Sequence, residues 1–414
     1  MKRFLAAYSL PRNFRYLIAR PATNYDVIDG LRAISMFLVI IFHSYMMYAF
    51  VQPSVELMEL VEDGGYAFSW IINSDKGVDV FFVISGFLIT SILLRQIDSL
   101  GRIRLSNFYV RRFIRLSPVY YFAIFLYWLS PFPNTENLWA NIFYVNNFLY
   151  YKEQAMNWTW SLAIEEQFYL VFPLLLTLLV TKTRQPWLWL WVIWFIGIFI
   201  RYLIIISDEQ LRTLPQSQLV VDQDFHAHHF SILYDNLYSR YGALLSGCMA
   251  GYCFHYHKDR LAWYFSGISG ILLKTLGIGL VLFFMMLPMV SHRFDDYQNL
   301  NILHQSVNRN LFGLGVALII LASFEGGWFQ KIARILLGNR ILYPFAQLSY
   351  SMYLIHVVPI SILVQGAKSM VDNNPDVSHM EAIFLVVLIG TIVTTLLATI
   401  MYLLIERPLM NLRK

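Results

Sequence analysis

Residues 27–50 read VIDGLRAISMFLVIIFHSYMMYAF, and that stretch decides the class of the fold. It is long and apolar enough for a transmembrane helix, which needs about 20 residues to cross ~30 Å of hydrocarbon. Yet it carries Arg32 and His43. At about 1.5 Å rise and 3.6 residues per turn, their spacing is roughly three full turns, so the two side chains share one face. His43 then lies about 16 Å deeper than Arg32. An ionisable side chain at that depth is costly in lipid and by default marks a functional site.

The rest of the chain repeats the pattern. Of its 414 residues 57% are hydrophobic and 14% charged, where a soluble domain carries about a quarter charged residues. Ten apolar stretches are predicted to span, at 28–50, 77–95, 113–130, 160–180, 187–206, 237–255, 266–288, 306–324, 342–364 and 382–404. Each has the length of a membrane helix. The fold class is therefore an all-α integral membrane protein, a bundle of about ten transmembrane helices. Residues 1–27 form a basic N-terminal arm, 28–405 the transmembrane domain and 406–414 a tail. The opening MKRFLAAYSLPRNFRYLIARP lacks the unbroken apolar core and small-residue cleavage site of a signal peptide.

Loop charges set an expected orientation. Basic residues fill the arm (Lys2, Arg3, Arg12, Arg15, Arg20) and alternate connections: Arg95, Arg102 and Arg104; Lys182 and Arg184; Lys258 and Arg260; Lys331, Arg334 and Arg340; Arg413 and Lys414. The intervening loops are acidic, with Glu56, Glu59, Glu62 and Asp63, then Asp208, Glu209, Asp222 and Asp224, then Asp295 and Asp296, then Asp372 and Asp376. The positive-inside rule places both termini in the cytoplasm. The net charge of +5 is thus a topology signal with attraction to anionic lipid, and nucleic acid is not an expected partner. Cys248 and Cys253 sit five positions apart on one helix and do not suit a disulfide.

Few ionisable residues interrupt the spans. His43, Asp79, Glu165 and His356 are expected at similar depths, an arrangement suited to proton handling. The plainer alternatives are a hydrogen-bonded packing role for either histidine and a helix-fixing ion pair for Asp79. Of Glu165 and Glu166, about 100° apart on a helix, one faces inward; Glu165, which shares a face with Leu162 and Tyr169, is the choice. Arg111, Arg112 and Arg115 lie together in FYVRRFIRLSPVYY. Arg111 and Arg115, one turn apart, would share a face with Arg32 at a phosphate-binding mouth; the plainer alternative is a positive-inside anchor. Asp29 is expected to orient Arg32. His226, His228 and His229 in DFHAHHFS are read as solvated polar residues, and no metal site is expected. Tyr66, Trp70, Tyr144, Trp158 and Trp160 fit an interfacial belt or, alternatively, sugar-stacking faces. Trp160, Tyr353 and His356 are the substrate-binding candidates.

In sequence order the segments DGLRAISMFLVIIFH, GVDVFFVISGFLIT, FYVRRFIRLSPVYY, WSLAIEEQFYLVFP, LSYSMYLIH and IERP resemble the membrane acyltransferase-3 family over nearly the whole chain. The resemblance implies that Arg32 and His43 are an essential pair. It also implies that Arg111, Arg112 and Arg115 serve a cytoplasmic acyl-CoA donor, and that Glu165 is the acidic position after Trp-Ser-Leu. Relatives of this kind move an acyl group, usually acetyl, to a sugar hydroxyl outside the cytoplasm. The chain ends at Lys414 just after IERP, which resembles the stand-alone form without a fused extracytoplasmic hydrolase-like domain. The expected location is a bacterial inner membrane, and the expected partners are lipid, acyl-CoA and a carbohydrate or glycolipid acceptor. O-antigen, exopolysaccharide, capsule, peptidoglycan and small glycosides all stay open.

The residues and the resemblance together suggest catalysis by His43, as general base or as a transient acyl carrier. Glu165 or Asp79 is expected to orient its ring as a triad's acid does. The alternative is a proton-coupled secondary transporter using the buried histidines and carboxylates as a relay.

Overall fold

A computed structural model describes residues 7–21, 25–52 and 65–412. Lys2, Arg3, Glu56, Glu59, Glu62, Asp63, Arg413 and Lys414 lie outside the described residues. Among the described residues all regular structure is helical. A short amphipathic helix α1 (Leu10–Ile18) precedes the long helices α2 (Asp26–Val51), α3 (Gly77–Leu100), α4 (Leu105–Trp128), α5 (Trp160–Lys182), α6 (Pro186–Ser207), α7 (Leu237–His257), α8 (Gly267–Met286) and α9 (Gln298–Ala322). After the surface helix α10 (Trp328–Leu336) come α11 (Leu342–Ile355), α12 (Val357–Asn373) and α13 (His379–Met401).

Among the described residues seven helical segments are long and apolar enough to cross a membrane, and α11 with α12, taken as one bent span, makes an eighth. The two remaining predicted spans correspond to α4 and α7, of 24 and 21 residues. Their composition is more polar: α4 carries Arg111, Arg112 and Arg115, and α7 mixes Arg240 with Ser, Gly, Tyr and His.

Local chemistry fixes the helix ends. Pro186 opens α6, where the missing N–H is no loss. Gly101 ends α3 in the left-handed region at φ 66°. Ser378 and Glu381 close a reciprocal capping box on α13. The predicted span at 342–364 is not one helix. It breaks at His356, where α11 and α12 meet at 68°. Pro359 accounts for the break: it has no N–H to offer the Ile355 carbonyl, and its ring crowds that carbonyl.

Small residues let the central helices approach. A Cβ on Gly247 of α7 would lie 2.0 Å from the Val83 carbonyl oxygen of α3, so that crossing tolerates no side chain there. The two chain ends share one end of the bundle. Arg407 lies 3.7 Å from the centre of the Tyr16 ring, and the Asn411 amide reaches Asn13 Oδ1 at 2.9 Å. We call this the arm side and the opposite end the far side.

Candidate active site

Two adjoining cavities within the bundle have charged side chains in their lining. The arm-side cavity, about 120 Å³, is lined by Arg32, Arg112, Arg115, Glu165, Ser349 and Glu406 among others. The far-side cavity, about 360 Å³, is lined by His43, Asp75, Trp158, Trp160, Arg201 and Arg309 among others. Val78 and Tyr353 line both. The Tyr353 hydroxyl donates to the Trp158 carbonyl at 2.5 Å and meets Ser161 Oγ at 2.6 Å. It forms a hydrogen-bonded partition between the two spaces.

His43 stands on the far side of that partition. Its Nδ1 lies 2.8 Å from the Val39 carbonyl and 3.3 Å from His356 Nε2. His356 Nδ1 in turn lies 2.7 Å from the Tyr353 carbonyl. A carbonyl oxygen accepts only, so Nδ1 carries the proton in both neutral rings. His356 Nε2 is then an acceptor for the His43 N–H, and His43 Nε2 keeps its lone pair, with no hydrogen-bond partner among the described residues. The rings meet edge-on at 77° with centroids 4.6 Å apart. His356 occupies the α11–α12 break, fully buried, and it touches His43 rather than lining the cavity.

This geometry replaces the expected carboxylate–histidine arrangement. Glu165 accepts from Ser85 Oγ at 2.8 Å and from the Tyr169 hydroxyl at 3.0 Å, on the arm side of the partition. Asp79 sits against Arg309 at 2.7 Å and Arg240 at 3.2 Å, the helix-fixing alternative. The orienting contacts to His43 come instead from the Val39 carbonyl one turn back and from another histidine, the latter supplied by a helix break that periodicity does not reveal.

The arginines also divide. Arg32 donates to Ser349 Oγ at 3.1 Å. Arg112 lies 4.8 Å from the Tyr169 ring centre, and Arg112, Arg115 and Arg32 face one cavity. Arg111 is exposed and is not among the residues lining that cavity, so the inward pair is spaced i, i+3 rather than i, i+4. Asp29 pairs with Arg20 at 3.1 Å, not with Arg32.

Beyond the partition lies a buried charge cluster, of which the sequence singled out Asp79 but not its neighbours Asp75, Arg240 and Arg309. Arg309 binds both Asp75 and Asp79. Arg240 is sandwiched with Tyr234 at 4.6 Å and Trp160 at 4.8 Å, so ring faces stand in for hydrogen-bond partners. Arg201, Arg240 and Arg309 each interrupt an apolar span in the sequence. That was a usable signal, because a cation in a span is costly unless partnered. Trp158, Trp160 and Tyr353 line the far-side cavity. The three loop histidines go to separate partners: His226 Nδ1 donates to the Leu219 carbonyl at 3.1 Å, His228 meets Asp208 at 2.8 Å, and His229 lines the cavity.

A multi-pass integral membrane protein with two such adjoining cavities is the class that fold and site define. The acyltransferase-3 sequence model, an acyltransferase domain, matches residues 25–403, and the chain belongs to that family. It is 34% identical over 190 residues to the peptidoglycan O-acetyltransferase OatA of Listeria monocytogenes, covering 41% of this chain and 27% of that protein. It is 33% identical over 175 residues to the O-acetyltransferase OatA of Staphylococcus aureus, covering 38% of this chain and 25% of that one. The matched stretch thus spans about a quarter of the length of these relatives. No solved structure matches the chain.

Proposed function

We propose that this protein is an O-acyltransferase that takes an acyl group, acetyl by analogy with its relatives, from acyl-coenzyme A on the arm side. It passes that group to a hydroxyl of a carbohydrate or glycoconjugate on the far side. One observation carries the reading: an arginine-lined recess and the cavity holding a histidine with a free Nε2 adjoin at Tyr353 and Val78. The basic arm supports a cytoplasmic arm side, and the names of the relatives support an acetyl group and, for one of them, a glycan acceptor.

In this reading Arg32, Arg112 and Arg115 hold donor phosphates, for which guanidinium forks are suited. The pantetheine arm reaches past Tyr353, whose two hydrogen bonds must open. At His43 the acceptor hydroxyl gives its proton to Nε2 while its oxygen bonds to the thioester carbon. The C–S bond then breaks, and the proton passes from the imidazolium to the departing thiolate. The Val39 carbonyl and His356 Nε2 share the Nδ1–H and keep the ring aimed, contacts that strengthen as the imidazolium forms. Trp158 and Trp160 offer flat apolar faces to a sugar ring.

The test is acetyl transfer by full-length protein in proteoliposomes supplied with acetyl-CoA on the arm side. His43→Ala should lower turnover by about 10²–10⁴-fold, the usual contribution of a positioned base, while coenzyme A binding is retained. Unchanged turnover would refute the assignment. An acyl adduct on His43, found by intact mass with donor alone, would replace the base role with covalent relay.

A further inference from the structure

We propose that the far-side cavity holds a subsite for an anionic group of the acceptor, a carboxylate or a phosphate, formed where Lys76, Arg201 and His304 converge on the cavity from three different elements. Lys76 ends the short turn Asn73–Lys76 ahead of α3, Arg201 lies on α6 and His304 on α9. All three line the same space, and none is required by the proton-transfer scheme at His43. The proposal deepens the acyl-transfer reading and rests on it for the identity of the ligand as acceptor.

Charge balance is the first argument. Lys76, Arg201, Arg240 and Arg309 are buried, and the carboxylates among them are Asp75 and Asp79. Four cations against these two anions leave an excess of positive charge buried in the bundle. Asp235, also buried, accepts from Gln154 at 2.7 Å and Asn236 at 3.1 Å, and even with it counted the cations outnumber the carboxylates. Buried charges in proteins are normally paired, so this cluster is short of counter-charge among the described residues.

Unused donors are the second argument. Arg201 is 3% exposed and has no carboxylate within salt-bridge distance among the described residues. Its guanidinium is held by carbonyls alone: Gln305 at 2.8 Å, Ser239 at 2.8 Å and Leu233 at 3.3 Å. These bonds use Nε and Nη1, and Nη2 makes none among the described residues. His304 Nδ1 accepts from Gln216 Nε2 at 3.2 Å, which leaves the proton on Nε2. That Nε2 is buried without a partner among the described residues. Lys76 donates to Asn73 Oδ1 at 2.7 Å and stands 4.0 Å from Asp75 Oδ1, so its remaining hydrogens are free. Three donors of one polarity, two of them cationic, match the acceptor lone pairs of a carboxylate or phosphate. A neutral glycoside offers no such charge.

The test titrates full-length protein in nanodiscs by calorimetry with methyl glucuronoside, glucose 1-phosphate and methyl glucoside. Both anions should bind about tenfold or more tightly than the neutral glycoside, and the tighter of the two identifies carboxylate or phosphate as the source. Lys76→Gln and His304→Phe should each erase about tenfold of that preference while coenzyme A binding is kept. Equal binding of the neutral glycoside, absence of anion binding at millimolar concentration, or an unchanged preference in both variants would overturn the proposal. So would displacement of methyl glucuronoside by coenzyme A, which would give these cations to the donor. Acetyl transfer measured on the same samples separates the two readings, because anion preference without transfer sinks only the acyltransferase assignment.

Discussion

Asp79→Asn separates a structural carboxylate from a catalytic one. The Asp79 side chain is fully buried between Arg309 and Arg240, at 2.7 and 3.2 Å. Removing one member of a buried ion pair leaves an uncompensated charge and costs roughly 3–5 kcal/mol. Arg309 keeps a second carboxylate in Asp75, whereas Arg240 keeps only aromatic faces. The loss should therefore fall near the lower end, about 3 kcal/mol. It is measured as a shift in the SDS-induced unfolding of purified protein in mixed micelles. Adding Arg240→Gln removes the orphaned cation, so the double variant should be more stable than the summed single losses by about 1–3 kcal/mol. Transfer per folded molecule should change far less than for His43→Ala. If Asp79→Asn unfolds like the parent while turnover falls a hundredfold, the carboxylate acts on the reaction and the reasoning is refuted.

Arg112→Ala and Arg115→Ala should each weaken coenzyme A binding by about tenfold or more, as expected for a charged hydrogen bond, with Arg111→Ala near the parent; equal losses at all three positions in a binding assay would count against the cavity assignment. Gly247→Ala should cost about 1–3 kcal/mol or more and lower the yield of folded protein, because the new Cβ meets the α3 backbone. Gly279→Ala, where the added Cβ meets nothing within 4 Å, is the matched control and should melt with the parent.

Much of the architecture was legible in the chain. Helices occupy the predicted spans, and the arm and tail meet at one end. Glu165 rather than Glu166 lines the arm-side cavity beside Tyr169, as the choice of face from helical geometry expected. The arginine face was not legible. Arg111 and Arg112 differ by about 100° around α4, and a helix with apolar and polar residues on every side gives no strong stripe to rank them. The pairing of His43 with His356 was equally hidden, because it joins residues far apart in sequence across the α11 break.

What the sequence determined by itself was the solvent and the family. Long apolar runs have one stable home, and ordered local motifs survive without tertiary context. What only the tertiary structure decided was partnership. It set which nitrogen of His43 stays free, which carboxylates hold cations, and where two cavities meet at Tyr353. Those outcomes depend on how each helix is rotated against its neighbours. That rotation is set by close contacts such as Gly247 on Val83 and by the Pro359 break, which act between helices rather than along one.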